Sequence, residues 1–132
     1  MIEAKLTALV TVLSVVYTIY LALRVGGQRT KTGIAAPATT GHPDFERAFR
    51  IHMNMVEQMI VFLPVLWLSV AVIGDLWAGI AGFVWLAGRA LYAVSYTKDP
   101  AKRGPGMGIA MLATMVLIVA SLVGVVRGFI GM

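Results

Sequence analysis

The sequence predicts an all-α integral membrane protein, a four-helix bundle, and three observations lead there. Hydrophobic residues fill 59% of the 132 positions, and Asp, Glu, Lys and Arg only 13%, about half the charged share of a soluble domain. Mean hydropathy is +0.86, more apolar surface than a small globule with so few charges can hide from water. Apolar stretches of about 20 residues, each long enough to cross a bilayer core as a helix, occur four times. Disorder and most soluble enzymes are thereby excluded. The net charge of +5 does not point to a nucleic-acid partner, because basic nucleic-acid binders are not this apolar. Cysteine is absent, so any thiol used here must arrive with a substrate.

The first span, Leu6–Leu23, carries no charge and closes at Arg24. A helix is expected over 4–25. Its apolar run is longer than a secretory h-region and no small-x-small cleavage pattern follows, so it is expected to stay as a span. The second helix is expected over 44–73. Ile51–Ile73 holds one charge, Glu57, and Asp44 after Pro43 is the expected N-cap. From Phe45 to Ile73 a helix is about 44 Å long, so its first turns, with Glu46, Arg47 and Arg50, should project into the headgroups. Pro64 removes a backbone donor and predicts a kink. Gly74–Asp75 is short enough only for a tight hairpin. The third helix is expected over 76–97, with Arg89 its one internal charge, and the fourth over 106–130. Gly26–Pro43 and Lys98–Pro105 form the two longer loops, with His42 a loop residue. Trp77 reads as an interfacial anchor, Trp67 and Trp85 as packing residues, and the Met residues as apolar filler. Gly104/Gly108 and Gly124/Gly128 have a spacing compatible with close helix contact, which also arises by chance in Gly-rich helices.

Alternating spans place both longer loops on one side. Arg24, Arg29, Lys31, Arg47, Arg50, Arg89, Lys98, Lys102 and Arg103 lie in or toward that side, and only Lys5 and Arg127 toward the other. The bias puts the two longer loops in the cytoplasm.

Ionisable groups at membrane depth are expensive and point to a site. On the second helix Arg47, Arg50, Asn54 and Glu57 fall in one stripe roughly 80° wide. On the third, Arg89, Tyr92 and Tyr96 form another. One reading is internal pairing, with Glu57 neutralised by Arg50 or Arg89 and Asn54 joining helices. The other is a ligand site. Surplus guanidinium groups suit carboxylates, held in bidentate fashion, and the single Glu suits an ammonium. Glutathione offers two carboxylates, one ammonium and a thiol.

The stretch Phe45-Glu46-Arg47-Ala48-Phe49-Arg50-Ile51-His52-Met53-Asn54-Met55-Val56-Glu57 resembles the signature of the MAPEG superfamily, membrane-associated proteins in eicosanoid and glutathione metabolism. A second block, Arg89, Tyr92 and Tyr96 followed by the loop residue Arg103, is similar to that family's third-helix pattern. The resemblance covers nearly the whole chain and is to the microsomal glutathione transferase and leukotriene-C synthase branch, in the wording of bacterial members. It implies a single domain over 1–132, assembled as a homotrimer in the bacterial inner membrane. Glutathione would be the co-substrate, held between subunits by Arg50, Asn54, Glu57, Tyr92 and Tyr96, with Arg29 from a neighbouring subunit. Arg47, His52 and Arg89 are further candidates. Arg103 would be catalytic and stabilise the glutathione thiolate. The partner substrate would be a hydrophobic electrophile arriving through membrane lipid, in detoxification or lipid metabolism. Such chemistry needs neither a metal nor a protein nucleophile.

Leukotriene-forming members carry a second Arg where Thr30 stands, Tyr at the positions of Phe49 and Gln58, and Gln at that of His52. The acceptor substrate therefore stays open, as does transferase against peroxidase activity. A non-enzymatic member lacks the Arg at Arg50 and has Asp at Glu57. Retention of Arg50, Glu57 and Arg103 favours an enzyme over a non-catalytic glutathione- or lipid-binding protein. A small four-span exporter would place an acidic residue in the first span, and Leu6–Leu23 has none.

Overall fold

Long apolar runs with few helix breakers leave the backbone only itself to hydrogen-bond with in a bilayer. A computed structural model describes residues 1–131. The described chain is helical, with no strand: α1 (Lys5–Thr32), α2 (Pro43–Lys98), a 3-10 turn (Pro100–Lys102) and α3 (Gly104–Phe129). The expected four separate helices are thus three. α2 is 56 residues long and leaves helical geometry only at Gly74, with φ 79° and ψ 169°. That region is open to glycine without the Cβ clash other residues meet. Gly74 divides α2 into a first limb, 43–73, and a returning limb, 75–98. Across them Phe62 stacks on Trp85, ring centroids 3.7 Å apart, so the limbs lie side by side. Pro64, where a kink was expected, sits within helical φ/ψ.

α1 runs past its expected end at residue 25, because Gly26 and Gly27 continue the helix. It stops at Gly33, a left-handed C-cap with φ 76°. The loop to α2 is correspondingly short. His42, not Asp44, is the N-cap of α2, and its Nδ1 accepts from the Asp44 N–H at 3.1 Å. Asp44 and Glu46 stand in the first turn, where negative charge meets the positive end of the helix dipole. The Gly41 N–H donates to Glu46 Oε2 at 3.1 Å.

Two contacts clamp the bundle. The start of α1 has no side-chain cap of its own. Asp75, in the turn outside the apolar runs, supplies one: its carboxylate accepts from the Thr7 N–H at 2.8 Å and the Leu6 N–H at 3.0 Å. These two donors hold the Asp75 carboxyl below the usual carboxylate range. On the other side α3 crosses the returning limb backbone to backbone. A Cβ on Gly106 would strike the Tyr92 backbone, and one on Gly88 would come within 2.7 Å of the Ala110 nitrogen. Gly104, Gly108 and Gly128 face open space, so their spacing does not make the contact.

The core runs between the limbs, α1 and α3 through Val10, Phe62, Leu66, Trp85 and Leu117, all fully buried. Trp67 and Trp77 are exposed, as are Ile60, Leu68, Val84, Leu112 and Val119. An outer surface this apolar is matched by lipid rather than water. Three helices are long and apolar enough to cross a membrane, and the protein is an integral membrane protein.

Candidate functional site

The expected polar stripe of the first limb divides in two. Arg50 and Glu57, two turns apart, are joined by an Arg50 Nη1 to Glu57 Oε1 bond of 3.0 Å, and each side chain is about half open, 51% and 49%. Asn54 between them turns inward and is 7% exposed. There Arg89 Nη2 donates to Asn54 Oδ1 at 2.6 Å. Arg89 is itself only 3% exposed. Its guanidinium lies over the Tyr92 ring, 4.3 Å from the centroid, a cation–π contact that offsets part of the desolvation of the charge. Its Nε is buried without a hydrogen-bond partner.

Tyr92 is held in place from behind by the close approach of Gly106. It leads to Tyr96, ring centroids 5.6 Å apart. Arg103 follows the 3-10 turn, whose first N–H is fixed by Asp99 Oδ1 accepting from Ala101 at 3.0 Å. The Arg103 guanidinium lies 5.7 Å from the Tyr96 centroid, and its Nη1 donates to the Pro100 carbonyl at 2.8 Å. Two layers result. Arg50 with Glu57, and Tyr96 with Arg103, are open or partly open. Asn54, Arg89 and Tyr92 are buried behind them.

A cleft of about 450 Å³ opens at the head of α2, lined by Thr39, Pro43, Glu46, Arg47, Phe49, Arg50 and Tyr96. Of the sequence candidates, Arg47, Arg50 and Tyr96 line it. Asn54, Glu57, Tyr92 and Arg103 are tied to those residues by the contacts above. Arg29, expected from a neighbouring subunit, makes its contacts within its own chain to the loop before α2. Its Nη1 donates to the Ala38 carbonyl at 2.8 Å, and its guanidinium packs over the Phe45 ring at 4.6 Å. Arg29 thus holds the loop between α1 and α2. His52 is half-buried on the first limb and does not line the cleft.

Sequence reasoning missed Thr97. Arg47 Nη1 donates to the Thr97 carbonyl at 3.3 Å and Arg24 Nη2 to its hydroxyl at 3.2 Å. A lone Thr near a helix end carries no pattern that would have singled it out. Among the described residues no three His, Asp or Glu side chains converge as a metal site.

The chain is 42% identical over 118 residues to an uncharacterised protein of Synechocystis, covering 89% of this chain and 86% of that one. It is 34% identical over 125 residues to human microsomal glutathione S-transferase 2, covering 95% and 85%. It is 30% identical over 128 residues to bovine leukotriene C4 synthase, covering 97% and 85%. The profile of the MAPEG family matches residues 7–123. With most of its length inside that match and its relatives spanned nearly end to end, the chain belongs to the MAPEG family.

Proposed function

We propose that the protein is a membrane-bound glutathione transferase that delivers the glutathione thiolate to lipophilic electrophiles, with lipid hydroperoxides as a second acceptor class. The observation that carries this reading is the half-open Arg50–Glu57 pair beside Tyr96. A guanidinium next to a carboxylate is the complement of a ligand bearing both carboxylate and ammonium. The named relatives, a glutathione S-transferase and a leukotriene C4 synthase, support it.

In this reading Arg50 binds a glutathione carboxylate, Glu57 the ammonium, and Tyr96 donates its hydroxyl. Asn54, Tyr92 and Arg89 back this wall from the buried layer behind it, with Arg47 and His52 as its margin. Glu57 lies within an apolar run yet is half open in one protomer. Assembly as a homotrimer would close it from lipid, with Arg29 or the loop it holds at the neighbour's edge. Arg103 acts on sulfur. A free thiol has a pKa of about 8.5, and each unit by which a guanidinium lowers it corresponds to about 1.4 kcal/mol. The thiol proton leaves to water. The sulfur lone pair forms the new C–S bond, and the leaving group departs with its bonding electrons. With an epoxide those electrons go to oxygen, which takes up a proton. With a hydroperoxide the thiolate instead attacks the outer oxygen, and the alkoxide leaves and is protonated. A second glutathione thiol then displaces water from the resulting sulfenic acid to give the disulfide. The two longer loops would face the cytoplasm of a bacterial inner membrane, so cytosolic glutathione meets an electrophile dissolved in lipid.

The test is turnover of glutathione with an activated chlorodinitrobenzene, alongside glutathione binding by calorimetry. Arg103→Ala should lower kcat about 100-fold, as loss of one charge-stabilising donor does, while affinity changes little. Absence of both turnover and binding would sink the reading. The second reading, binding without catalysis, is favoured by Arg103 standing outside the cleft lining with its Nη1 on Pro100. It predicts binding without the ultraviolet absorbance of a thiolate.

A further inference from the structure

The ends of three apolar runs meet at a second, smaller cleft. Arg24 closes the uncharged run of α1, and Thr97 follows the apolar run of the returning limb. Asp44 and Arg47 precede the apolar run of the first limb. With Gln28 and Ala48 they line a space of about 210 Å³. Two guanidinium groups are drawn to one threonine, Arg24 to its hydroxyl and Arg47 to its carbonyl. Asp44 lines the same cleft, yet it pairs with neither cation: Arg50–Glu57 is the sole ion pair among the described residues. Gln28 also lines the cleft, with its Oε1 sealed from the surface. Dipole complementarity at the start of α2 accounts for Asp44 alone. It does not account for two gathered cations beside a carboxylate that pairs with neither.

We propose that this cleft binds the headgroup of an aminophospholipid, its phosphate against Arg24 and Arg47 and its primary ammonium against Asp44. Paired guanidinium groups form a strong phosphate site. A primary ammonium brings three donors and a positive charge to the Asp44 carboxylate. A quaternary ammonium brings no donor, and a glycerol headgroup brings no positive charge. Depth selects a lipid as the source, because the cleft lies where the apolar runs end, at headgroup level. It differs from the larger cleft in its lining, sharing only Arg47 with it.

The test is lipid retention by the detergent-purified protein, read by native mass spectrometry. The probes are phosphatidylethanolamine, phosphatidylcholine and phosphatidylglycerol, with soluble phosphoethanolamine as competitor. Phosphatidylethanolamine should be retained best. Arg24→Gln should weaken retention of all three lipids about tenfold, the loss of one charge-assisted contact. Asp44→Asn, nearly isosteric, should remove the advantage of ethanolamine over choline while phosphate binding persists. If Arg24→Gln does not fold, Asp44→Asn alone decides the matter. Glutathione affinity should be unchanged in both variants, so failure here is separable from failure of the transferase reading. Equal retention of the three headgroups by the native protein would overturn the proposal. So would unaltered selectivity in Asp44→Asn, or displacement of the lipid by equimolar phosphoethanolamine, which would assign the site to a soluble ligand.

Discussion

Two arginines on facing limbs of α2 make side-chain pairs of opposite character. Arg50 meets a charged partner, Glu57, at 3.0 Å with both side chains half open. Arg89 meets a neutral partner, Asn54, at 2.6 Å with 3% of its own surface exposed. An open ion pair contributes about 0–1 kcal/mol, so a ligand carboxylate can take over the guanidinium with little loss to the fold. A buried guanidinium has no such freedom. Its bond to Asn54 and its contact with Tyr92 replace water it has lost, and removing it leaves the Asn54 oxygen buried without a donor. The same functional group is therefore exchangeable in one place and architectural in the other, and burial makes the difference.

The largest expected effect breaks the buried pair. Arg89→Met should destabilise the protein by about 1–3 kcal/mol, the cost of an orphaned buried acceptor, seen as a lower unfolding midpoint in detergent. Retention of the native midpoint would remove the contrast between the two arginines. Arg50→Ala should show the opposite balance. Stability should change by less than about 1 kcal/mol, while glutathione affinity drops at least about tenfold, or 1.4 kcal/mol. A loss of stability matching that of Arg89→Met would show that the open pair is structural after all. The smallest effect belongs to Asp75, a carboxylate remote from both pairs. Its folded pKa lies below its unfolded value, so the folded state binds this proton less readily. The stability it supplies is complete above the ordinary carboxylate pKa of about 3.9. It is lost as pH falls through that value toward the lower folded one. Asp75→Asn should flatten this acid limb of the unfolding midpoint and slightly lower the midpoint at neutral pH.

Much of the site was legible as residue types on a helical period, because ionisable side chains in an apolar run stand out one by one. Arg50, Glu57, Arg89, Tyr92 and Tyr96 were all singled out that way. Periodicity gives the angle around one helix and not what lies opposite. Hence Asn54, within the same arc as Arg50 and Glu57, was not separated from them until the returning limb supplied Arg89. The end of α1 shows the same limit. α1 continued through Gly26 and Gly27, because helical backbone in a packed bundle tolerates glycines that lower propensity alone, and that carried Arg29 onto the loop carbonyls. Gly106 was overlooked in favour of Gly104 and Gly108, since spacing along one helix does not reveal where another backbone crosses it.

By itself the sequence determined that the chain is helical, that it lives in a membrane, and that its few charges gather toward one end of the spans. Those follow from composition and from the cost of placing polar groups in lipid, which act residue by residue. Tertiary structure alone decided that Gly74 folds one long helix back on itself. It also decided that Asp75 caps α1, and that one arginine is sealed inside while another stays open. These depend on which surfaces are brought together, and contacts between residues far apart in the chain have no signature in either one's neighbourhood.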